Sequence, residues 1–177
     1  AASKSSGEGY CQAYHHSFAL NTTVLRFSNV YGPYSINKQS LIAKFINKII
    51  AFETLEIFGN GEQTRDFIHV GDIASAIVCA ANAKNLDGQI FQIGTGLETS
   101  VNRIYEIIYS IFATKGYEIP AMVKKPALQG EGIRNFAKTK KAQELLNWHS
   151  KIDLNDGIKE TIEWLIKAHG QQSSNIK

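Results

Sequence analysis

Residues 55–81 of the chain read LEIFGNGEQTRDFIHVGDIASAIVCAA, and this stretch predicts two short strands, a turn between them and a helix after them. Residues 55–58 alternate apolar and polar side chains, which is typical of a short, half-buried strand, and the apolar run at residues 67–70 predicts a second strand. The Gly-Asn-Gly triplet at residues 59–61 predicts a tight turn, because glycine and asparagine tolerate positive φ. Asp72 is placed to cap the helix. The helix would bury an apolar face made of Ile73, Ile77, Ala80 and Ala81.

Arg65 lies between the predicted turn and the second predicted strand, and Asp66 follows it directly. A guanidinium held at a strand edge is a good phosphate receptor, because its rigid fork matches two phosphate oxygens. The residues alone leave two interpretations open. Arg65 either binds a phosphate or forms an ordinary ion pair with Asp66 or another surface carboxylate.

Outward from this stretch, strands alternate with helices, so the sequence predicts the α/β class. Residues 23–27 and 90–93 are apolar, β-branched runs typical of strands in a parallel sheet. Residues 28–33, SNVYGP, are predicted to form a loop at the carboxyl end of the first strand, where open α/β sheets bind ligands. Helices are predicted over residues 1–20, 38–51, 101–111 and 139–148 and from residue 154. Ser100 would cap the helix that begins at residue 101, and Asp153 would cap the last helix. Residues 120–132 are predicted to be irregular.

The composition indicates a soluble globular domain with room for a sizeable core. The 177 residues carry a net charge of +3, and 44% of them are hydrophobic and 20% charged. No apolar run reaches membrane-spanning length, and the basic residues form no stripe of the kind that binds nucleic acid. The two cysteines and five histidines have no disulfide or metal-ligand spacing, and His69 is predicted to be structural. We therefore expect a cytoplasmic protein that binds no metal, membrane or nucleic acid.

A complete dinucleotide fingerprint, G-x-G-x-x-G between a strand and a helix, is missing from these 177 residues. Outside the first predicted helix, three G-x-G pairs occur, and the third glycine is replaced in each of them. The pairs begin at Gly59, Gly94 and Gly130, and the third position holds Thr64, Thr99 and Asn135. The loop that would hold a pyrophosphate at a helix N-terminus is therefore not expected within this sequence.

Five segments, in this order along the chain, resemble the extended short-chain dehydrogenases/reductases, in particular their nucleotide-sugar epimerase and dehydratase branch. They are ASKSSGE, LRFSNVYGPYS, IFGNGEQTRDFIHVGDIASAI, FQIGTGLETSVN and AQELLNW with GIKETIEWL after it. The resemblance extends from Ala1 to about Lys167 and is nearest to UDP-sugar 4-epimerases.

The resemblance implies a fold in which the chain is the C-terminal half of such an enzyme. This half would hold the last part of a Rossmann-like doubly wound sheet and a small α/β substrate-binding domain. Residues 1–33 would end the dinucleotide-binding domain, and residues 34–170 would mainly form the nucleotide-sugar-binding domain. Residues 71–95 would return to the Rossmann sheet, and residues 171–177 would be a tail.

The resemblance also implies NAD as the cofactor and assigns two residues near it. Lys4 matches the lysine of the family's catalytic Y-x-x-x-K motif, in which it binds the nicotinamide ribose. The tyrosine, which acts as the acid and base, would directly precede Ala1. Because residues i and i+4 share a helix face, an ammonium at Lys4 would lower the phenol pKa, which is usually about 10. Ser28 falls where the family's backbone approaches the nicotinamide.

Five residues are assigned by the resemblance to the nucleotide sugar. Asn29 and Arg65 would bind its diphosphate, and Leu41 and Phe58 would lie against the nucleotide base. Glu131 matches the family's P-G-D turn. The chain departs from the family at this turn, where Gln129 replaces the proline, Leu128 replaces a frequent arginine and Ala137-Lys138 replaces an A-D pair.

These assignments predict a UDP-hexose 4-epimerase of polysaccharide or lipopolysaccharide sugar synthesis. The alternatives are an NDP-sugar 4,6-dehydratase or decarboxylase of the same family, and a non-catalytic module that binds a nucleotide sugar. A homodimer is expected through the helix at residues 1–20, whose Tyr10, Tyr14 and Phe18 share one aromatic face. The 177 residues alone are expected to be inactive and to bind NAD weakly.

Overall fold

The computed structural model describes residues 2–84, 86, 88–130 and 132–174, which form an α/β structure. The helices of this part are α1 (Ala2–Phe18), α2 (Leu41–Ile50), α3 (Val70–Asn82), α4 (Val101–Thr114), α5 (Lys140–Leu146) and α6 (Leu154–Ser174). Its strands are β1 (Val24–Phe27), β2 (Asn29–Tyr31), β3 (Leu55–Phe58), β4 (Thr64–Arg65), β5 (Phe67–His69), β6 (Ile90–Ile93), β7 (Thr99–Ser100), β8 (Met122–Lys125) and β9 (Arg134–Asn135).

Strands β1 and β6 are the pair that the sequence predicts to belong to a parallel sheet, and the structure confirms this. They pair in parallel, with Val24 opposite Ile90 and Phe27 opposite Ile93. Helices α3 and α5 pack near this pair, and Phe91 and Ile93 are fully buried there. The carboxyl ends of both strands therefore meet at one edge.

The prediction of a loop over residues 28–33 is wrong in part, because Asn29–Tyr31 forms the strand β2. This strand pairs in parallel with β5, with Asn29 opposite Phe67 and Tyr31 opposite His69. The segment is only three residues long and is followed by Gly-Pro, so its local pattern is that of a turn. Its partner lies far along the chain, and only the tertiary fold supplies it.

The prediction of irregular structure over residues 120–132 is also wrong in part, because Met122–Lys125 forms β8. This strand pairs in parallel with β3 over its whole length. A second small sheet has the order β7-β4-β9, so that Arg65 lies on the central strand between Thr99 and Asn135. The Gly59–Gly61 turn lies between β3 of the first sheet and β4 of the second. Its two glycines have φ of +69° and +81°, as the sequence predicts.

The start of α3 corrects the prediction that Asp72 caps this helix. The cap is His69, whose Nδ1 accepts a hydrogen bond from the backbone N–H of Gly71 at 3.2 Å. Asp72 lies in the first turn, is buried, and accepts bonds from the backbone N–H groups of Lys151 and Ile152 at 3.1 Å each. The carboxylate thus serves a distant loop and not its own helix. Ile77, predicted to be buried, is 47% exposed.

The caps predicted for the other two helices are confirmed. The Ser100 hydroxyl accepts a bond from the Arg103 N–H at 3.1 Å, and Asp153 accepts one from the Asn155 N–H at 2.8 Å. Helix α2 begins at Leu41, three residues later than predicted, and α5 ends at Leu146, two residues earlier.

The buried apolar side chains form two clusters. One is built by α2, α4 and α6 with β3 and includes Phe45, Phe112 and Ile158. The other surrounds β6 and includes Ile73 and Trp148. Within the described residues, no helix is long and apolar enough to cross a membrane, and no group of His, Cys, Asp and Glu is placed to hold a metal ion.

Candidate functional site

A cleft lies between strands β2, β3 and β4 and the start of α2, and we call it the Arg65 cleft. It holds about 190 Å³ of space that water-sized molecules could occupy. Four of its residues are those assigned above to substrate binding: Asn29, Leu41, Phe58 and Arg65. The others are Val30, Tyr31, Ser40, Ile42, Glu56, Ile57, Gln63, Phe67, Val101 and Leu128.

Backbone carbonyls hold the Arg65 guanidinium in place at this cleft. Its Nη1 donates to the carbonyl oxygen of Thr64 at 2.8 Å and to that of Gly132 at 2.9 Å. Among the described residues it forms no ion pair with Asp66, whose carboxylate is buried and accepts bonds from Thr95, Gly96 and Ala137. The interpretation in which Asp66 is the ion-pair partner of Arg65 is therefore wrong.

The described lining of the Arg65 cleft includes one carboxylate, that of Glu56. It lies 3.3 Å from the Lys48 ammonium and 3.8 Å from that of Lys125. The hydrogen bond from Lys48 is the main cause that lowers the pKa of Glu56, so this carboxylate stays charged and is balanced by lysines.

Asn29 lines the cleft and is held by the backbone of Asp66, the residue before β5. Its N–H and its Nδ2 both donate to the carbonyl oxygen of Asp66, at 2.9 and 3.3 Å. With the amide assigned in this orientation, its Oδ1 has no partner among the described residues. Tyr31, two residues on, also lines the cleft, and burial raises its pKa, so its hydroxyl remains protonated at neutral pH.

Apolar side chains form the remaining wall of the Arg65 cleft. Leu41 is at the first turn of α2 and Phe58 is at the end of β3, and both are half-buried. The turn that follows Phe58 is tight: a Cβ on Gly61 would lie 2.0 Å from the Asn102 Oδ1. The end of β3 is therefore held at a defined position.

Ser40 is a cleft residue that the sequence analysis missed. It precedes α2, but its hydroxyl makes no cap bond, and its Oγ is buried without a hydrogen-bond partner in the described part of the chain. Because an unpaired buried hydroxyl costs free energy, Ser40 is a candidate to bond to a ligand in this cleft. A serine directly before an apolar helical run was the available signal, but the helix was predicted to begin at residue 38.

A second cleft, which we call the Ser28 cleft, lies at the carboxyl ends of β1 and β6. Its lining is mostly polar and consists of Arg26, Phe27, Ser28, Asn29, Gln92, Asn135, Phe136 and Ala137. The Ser28 N–H donates to the Ile93 carbonyl at 2.9 Å, and the Gln92 Oε1 accepts from the Lys138 N–H at 2.6 Å. Asn29 lines both clefts, so they are neighbours.

Comparison with protein families assigns this architecture. A family model described as the NAD dependent epimerase/dehydratase family matches residues 1–94. The chain belongs to this family. The Arg65 and Ser28 clefts are clefts of a member of this family.

Several relatives have known names or structures. A Methanocaldococcus jannaschii protein that is provisionally named a UDP-glucose 4-epimerase is 41% identical over 165 residues, which are 92% of this chain and 52% of that protein. The structure of Thermotoga maritima UDP-glucose 4-epimerase with UDP-glucose has 33% identity and a TM-score of 0.83, over 94% of this chain and 52% of that one. The Bacillus cereus UDP-glucuronic acid 4-epimerase, in complex with UDP-glucuronic acid and NAD, has 27% identity and a TM-score of 0.80, over 92% and 51%. The chain spans about half the length of these relatives.

Of the cofactor residues assigned by resemblance, Ser28 lies in the polar cleft and Lys4 lies on α1. Lys4 is exposed and is absent from the lining of both clefts. Glu8, one turn later on the same helix face, bonds to Arg26 at 2.8 Å, and this bond is the main cause that lowers the pKa of Glu8. The Lys4 face of α1 is thus directed toward β1 and the Ser28 cleft. Glu131, assigned to the substrate, lies outside the described residues.

The polar lining of the Ser28 cleft fits the nicotinamide of NAD, the cofactor in the family's name. A nicotinamide carries an amide group that needs donors and acceptors, and this cleft offers the Ser28 hydroxyl and the side-chain amides of Gln92 and Asn135. Its place at the carboxyl ends of parallel strands is where α/β sheets bind such groups.

Proposed function

We propose that the whole protein is an NAD-dependent UDP-hexose 4-epimerase and that residues 1–177 provide its nucleotide-sugar site. The observation that carries the proposal is the Arg65 cleft. Asn29, Leu41, Phe58 and Arg65 are assigned to the substrate from separate sequence segments, and all four line this one cleft. Residues that met only by chance would not be expected to converge in this way.

In this proposal the two ends of the cleft bind different parts of the nucleotide sugar. Arg65 and Asn29 bind the diphosphate, the guanidinium through paired N–H groups and the amide through its side chain. Leu41 and Phe58 cover the faces of the base, and the unpaired Ser40 hydroxyl bonds to the ligand. Because these contacts are remote from the reacting carbon, their binding energy positions the sugar for reaction.

The chemistry is proposed to take place at the Ser28 cleft. NAD, when bound there, supplies a reversible hydride acceptor for the sugar carbon. Lys4 holds the ribose and favours the phenolate of a tyrosine that we place in the segment before Ala1, and this tyrosine exchanges the sugar hydroxyl proton. Ser28 contacts the nicotinamide side. The setting we propose is cytoplasmic synthesis of polysaccharide or lipopolysaccharide sugars.

Two alternatives keep the nucleotide-sugar cleft but change the outcome. The family includes dehydratases, so the same cleft could serve an NDP-sugar 4,6-dehydratase or a decarboxylase. The second alternative is a binding module without catalysis, and it is favoured for residues 1–177 taken alone, because their sequence has no complete G-x-G-x-x-G.

The test is to incubate the intact protein with NAD and, in separate reactions, with UDP-glucose and UDP-glucuronate, and to follow the sugar by NMR. The proposal expects UDP-galactose at equilibrium with UDP-glucose. A 4-keto-6-deoxy sugar would indicate the dehydratase, loss of CO₂ from UDP-glucuronate would indicate the decarboxylase, and UDP binding without turnover would indicate the module. No binding of UDP or of any UDP-sugar would contradict the proposal. For residues 1–177 alone, calorimetry is expected to show no micromolar binding of NAD.

A further inference from the structure

Asp66 is a buried carboxylate situated between the two clefts, and the roles described so far do not use its side chain. Only 1% of the residue is exposed. Its Oδ1 accepts from the Thr95 N–H at 2.9 Å and from the Thr95 hydroxyl at 2.7 Å. Its Oδ2 accepts from the Gly96 N–H at 2.9 Å and the Ala137 N–H at 3.1 Å. Both oxygens are thus filled by donors.

These bonds connect the segment that holds Asp66 with two segments from other parts of the chain, which makes three in all. Thr95 and Gly96 belong to the loop that follows β6, and Ala137 follows β9 and lines the Ser28 cleft. The backbone of Asp66 connects a fourth, since its carbonyl accepts both bonds of Asn29. The side chain of Asp66 thereby fixes the carbonyl that orients Asn29.

The packing around Asp66 leaves no room for adjustment on one side. A Cβ placed on Gly94 would lie 2.5 Å from the Asp66 Oδ2 and 2.4 Å from the Ser28 Oγ. The absence of a side chain at Gly94 lets the Asp66 carboxylate and the Ser28 hydroxyl approach the same point. A change in the position of Asp66 would therefore affect Ser28 and, through the Asp66 carbonyl, Asn29.

We propose that Asp66 is a positioning residue that holds Asn29 in register with the Ser28 cleft, so that a diphosphate bound by Asn29 presents its sugar to that cleft. This inference rests on the proposed function. Asp66 acts through Asn29, because the guanidinium of Arg65 is held independently by the carbonyls of Thr64 and Gly132.

The test compares Asp66→Asn with Asp72→Asn in the intact protein. Both carboxylates are buried, accept backbone N–H bonds and lie outside the lining of both clefts. Asp66 bonds to the cleft residues Asn29 and Ala137, whereas the carboxylate of Asp72 bonds to Lys151 and Ile152. In Asp66→Asn an NH₂ group faces N–H donors, so we expect UDP to bind about ten-fold more weakly or worse. In Asp72→Asn we expect a lower melting temperature and an unchanged Kd for UDP.

A double-mutant cycle then separates positioning from general damage. If Asp66 acts through Asn29, Asp66→Asn should change the Kd by less than about three-fold in an Asn29→Ala background. If Asp66→Asn does not fold, Thr95→Val removes the hydroxyl that donates to Oδ1 and accepts from the Leu97 N–H, and it should weaken UDP binding in the same direction, by a smaller factor.

The outcomes are distinct. Equal Kd values for the wild type and Asp66→Asn or, where that variant does not fold, for the wild type and Thr95→Val overturn the inference, as does an Asp66→Asn effect that is as large in the Asn29→Ala background as in the wild type. A wild-type protein that binds no UDP overturns the proposed function and this inference with it.

Discussion

At the scale of single residues, Arg65 shows how the fold holds the side chain of a partly exposed arginine in place. Two carbonyl oxygens contact its guanidinium on the central strand of the small sheet, and the carboxylate of the neighbouring Asp66 bonds to other residues. A long side chain normally loses rotamer entropy when it binds a ligand. If Arg65 binds the diphosphate, as we propose, part of that loss has already occurred in folding.

We predict that Arg65→Ala in the intact protein weakens UDP binding by about ten-fold to over a hundred-fold, from the 1.5–3 kcal/mol of a hydrogen bond to a charged group. Arg65→Lys should restore only part, because an ammonium cannot make the bidentate contact. The measurements are the Kd for UDP and a melting curve. Arg103→Ala, which removes an exposed arginine paired with Glu106, is the control. Unchanged UDP affinity with a large loss in melting temperature would make Arg65 a structural residue.

Ser40 provides a prediction in which binding and stability separate. Because its hydroxyl has no partner in the described part of the chain, Ser40→Ala should leave the melting temperature unchanged or raise it. If the hydroxyl bonds to the ligand, the same variant should weaken UDP binding by about two- to ten-fold. Ser110→Ala, whose hydroxyl bonds to the Ile107 carbonyl on α4, is the control and should leave UDP affinity unchanged. A Ser40→Ala protein with wild-type affinity would remove Ser40 from the site.

At the scale of elements, the three-stranded sheet β7-β4-β9 is held by a charged group outside the cleft. Glu98 accepts hydrogen bonds from Arg134, at 2.9 Å to Nε, and from the Thr64 hydroxyl at 2.6 Å. The bond from Arg134 is the larger cause, and together they lower the pKa of Glu98 to about 2. The sheet that holds Arg65 thus has a stabilising contact that depends on pH.

The sign of this dependence follows from the lowered pKa. The contribution of Glu98 is fully present above its ordinary pKa of 4.5 and is lost as the pH falls toward about 2. We predict that Glu98→Gln melts at a lower temperature than the wild type at pH 6, by a small amount because the pair is near the surface. The difference should shrink at pH 3. Melting curves of both proteins at the two pH values are the measurement, and a constant difference would contradict the prediction.

At the scale of the whole molecule, α1 has an aromatic face that the described residues leave exposed. None of its described residues is buried, and Tyr10 and Phe18 are 68% and 72% exposed. Tyr14 and Phe18 contact each other, with ring centroids 5.3 Å apart. Aromatic side chains of this kind are enriched at interface cores, and we propose that this face forms a homodimer.

We predict that Phe18→Glu shifts the intact protein from dimer to monomer, since a carboxylate would be buried against apolar rings. Sedimentation at several concentrations measures the change. Leu145→Glu, at a 52% exposed position on α5, is the matched control and should leave the mass unchanged. A Phe18→Glu dimer as strong as the wild type would place the interface elsewhere.

The sequence by itself determined what depends on local patterns. Helical spacing predicted α2, α4 and α6, because side chains three and four residues apart must share a face. Apolar β-branched runs predicted β1 and β6, and glycine identified the turn after Phe58. Family resemblance named four of the residues that line the Arg65 cleft, and Ser40 was not among them.

Only the tertiary structure decided what depends on distant partners. Strand β2 has only three residues, and β8, with the sequence MVKK, has no alternating pattern. Both exist because β5 and β3 supply their hydrogen bonds. Local rules assigned Asp72 to its own helix, but the fold uses it for residues 151–152. Asp66 also bonds to distant residues, and its four donors come from residues 95, 96 and 137. The physical reason is that a buried carboxylate must be bonded, and the sequence does not show which donors the fold will bring to it.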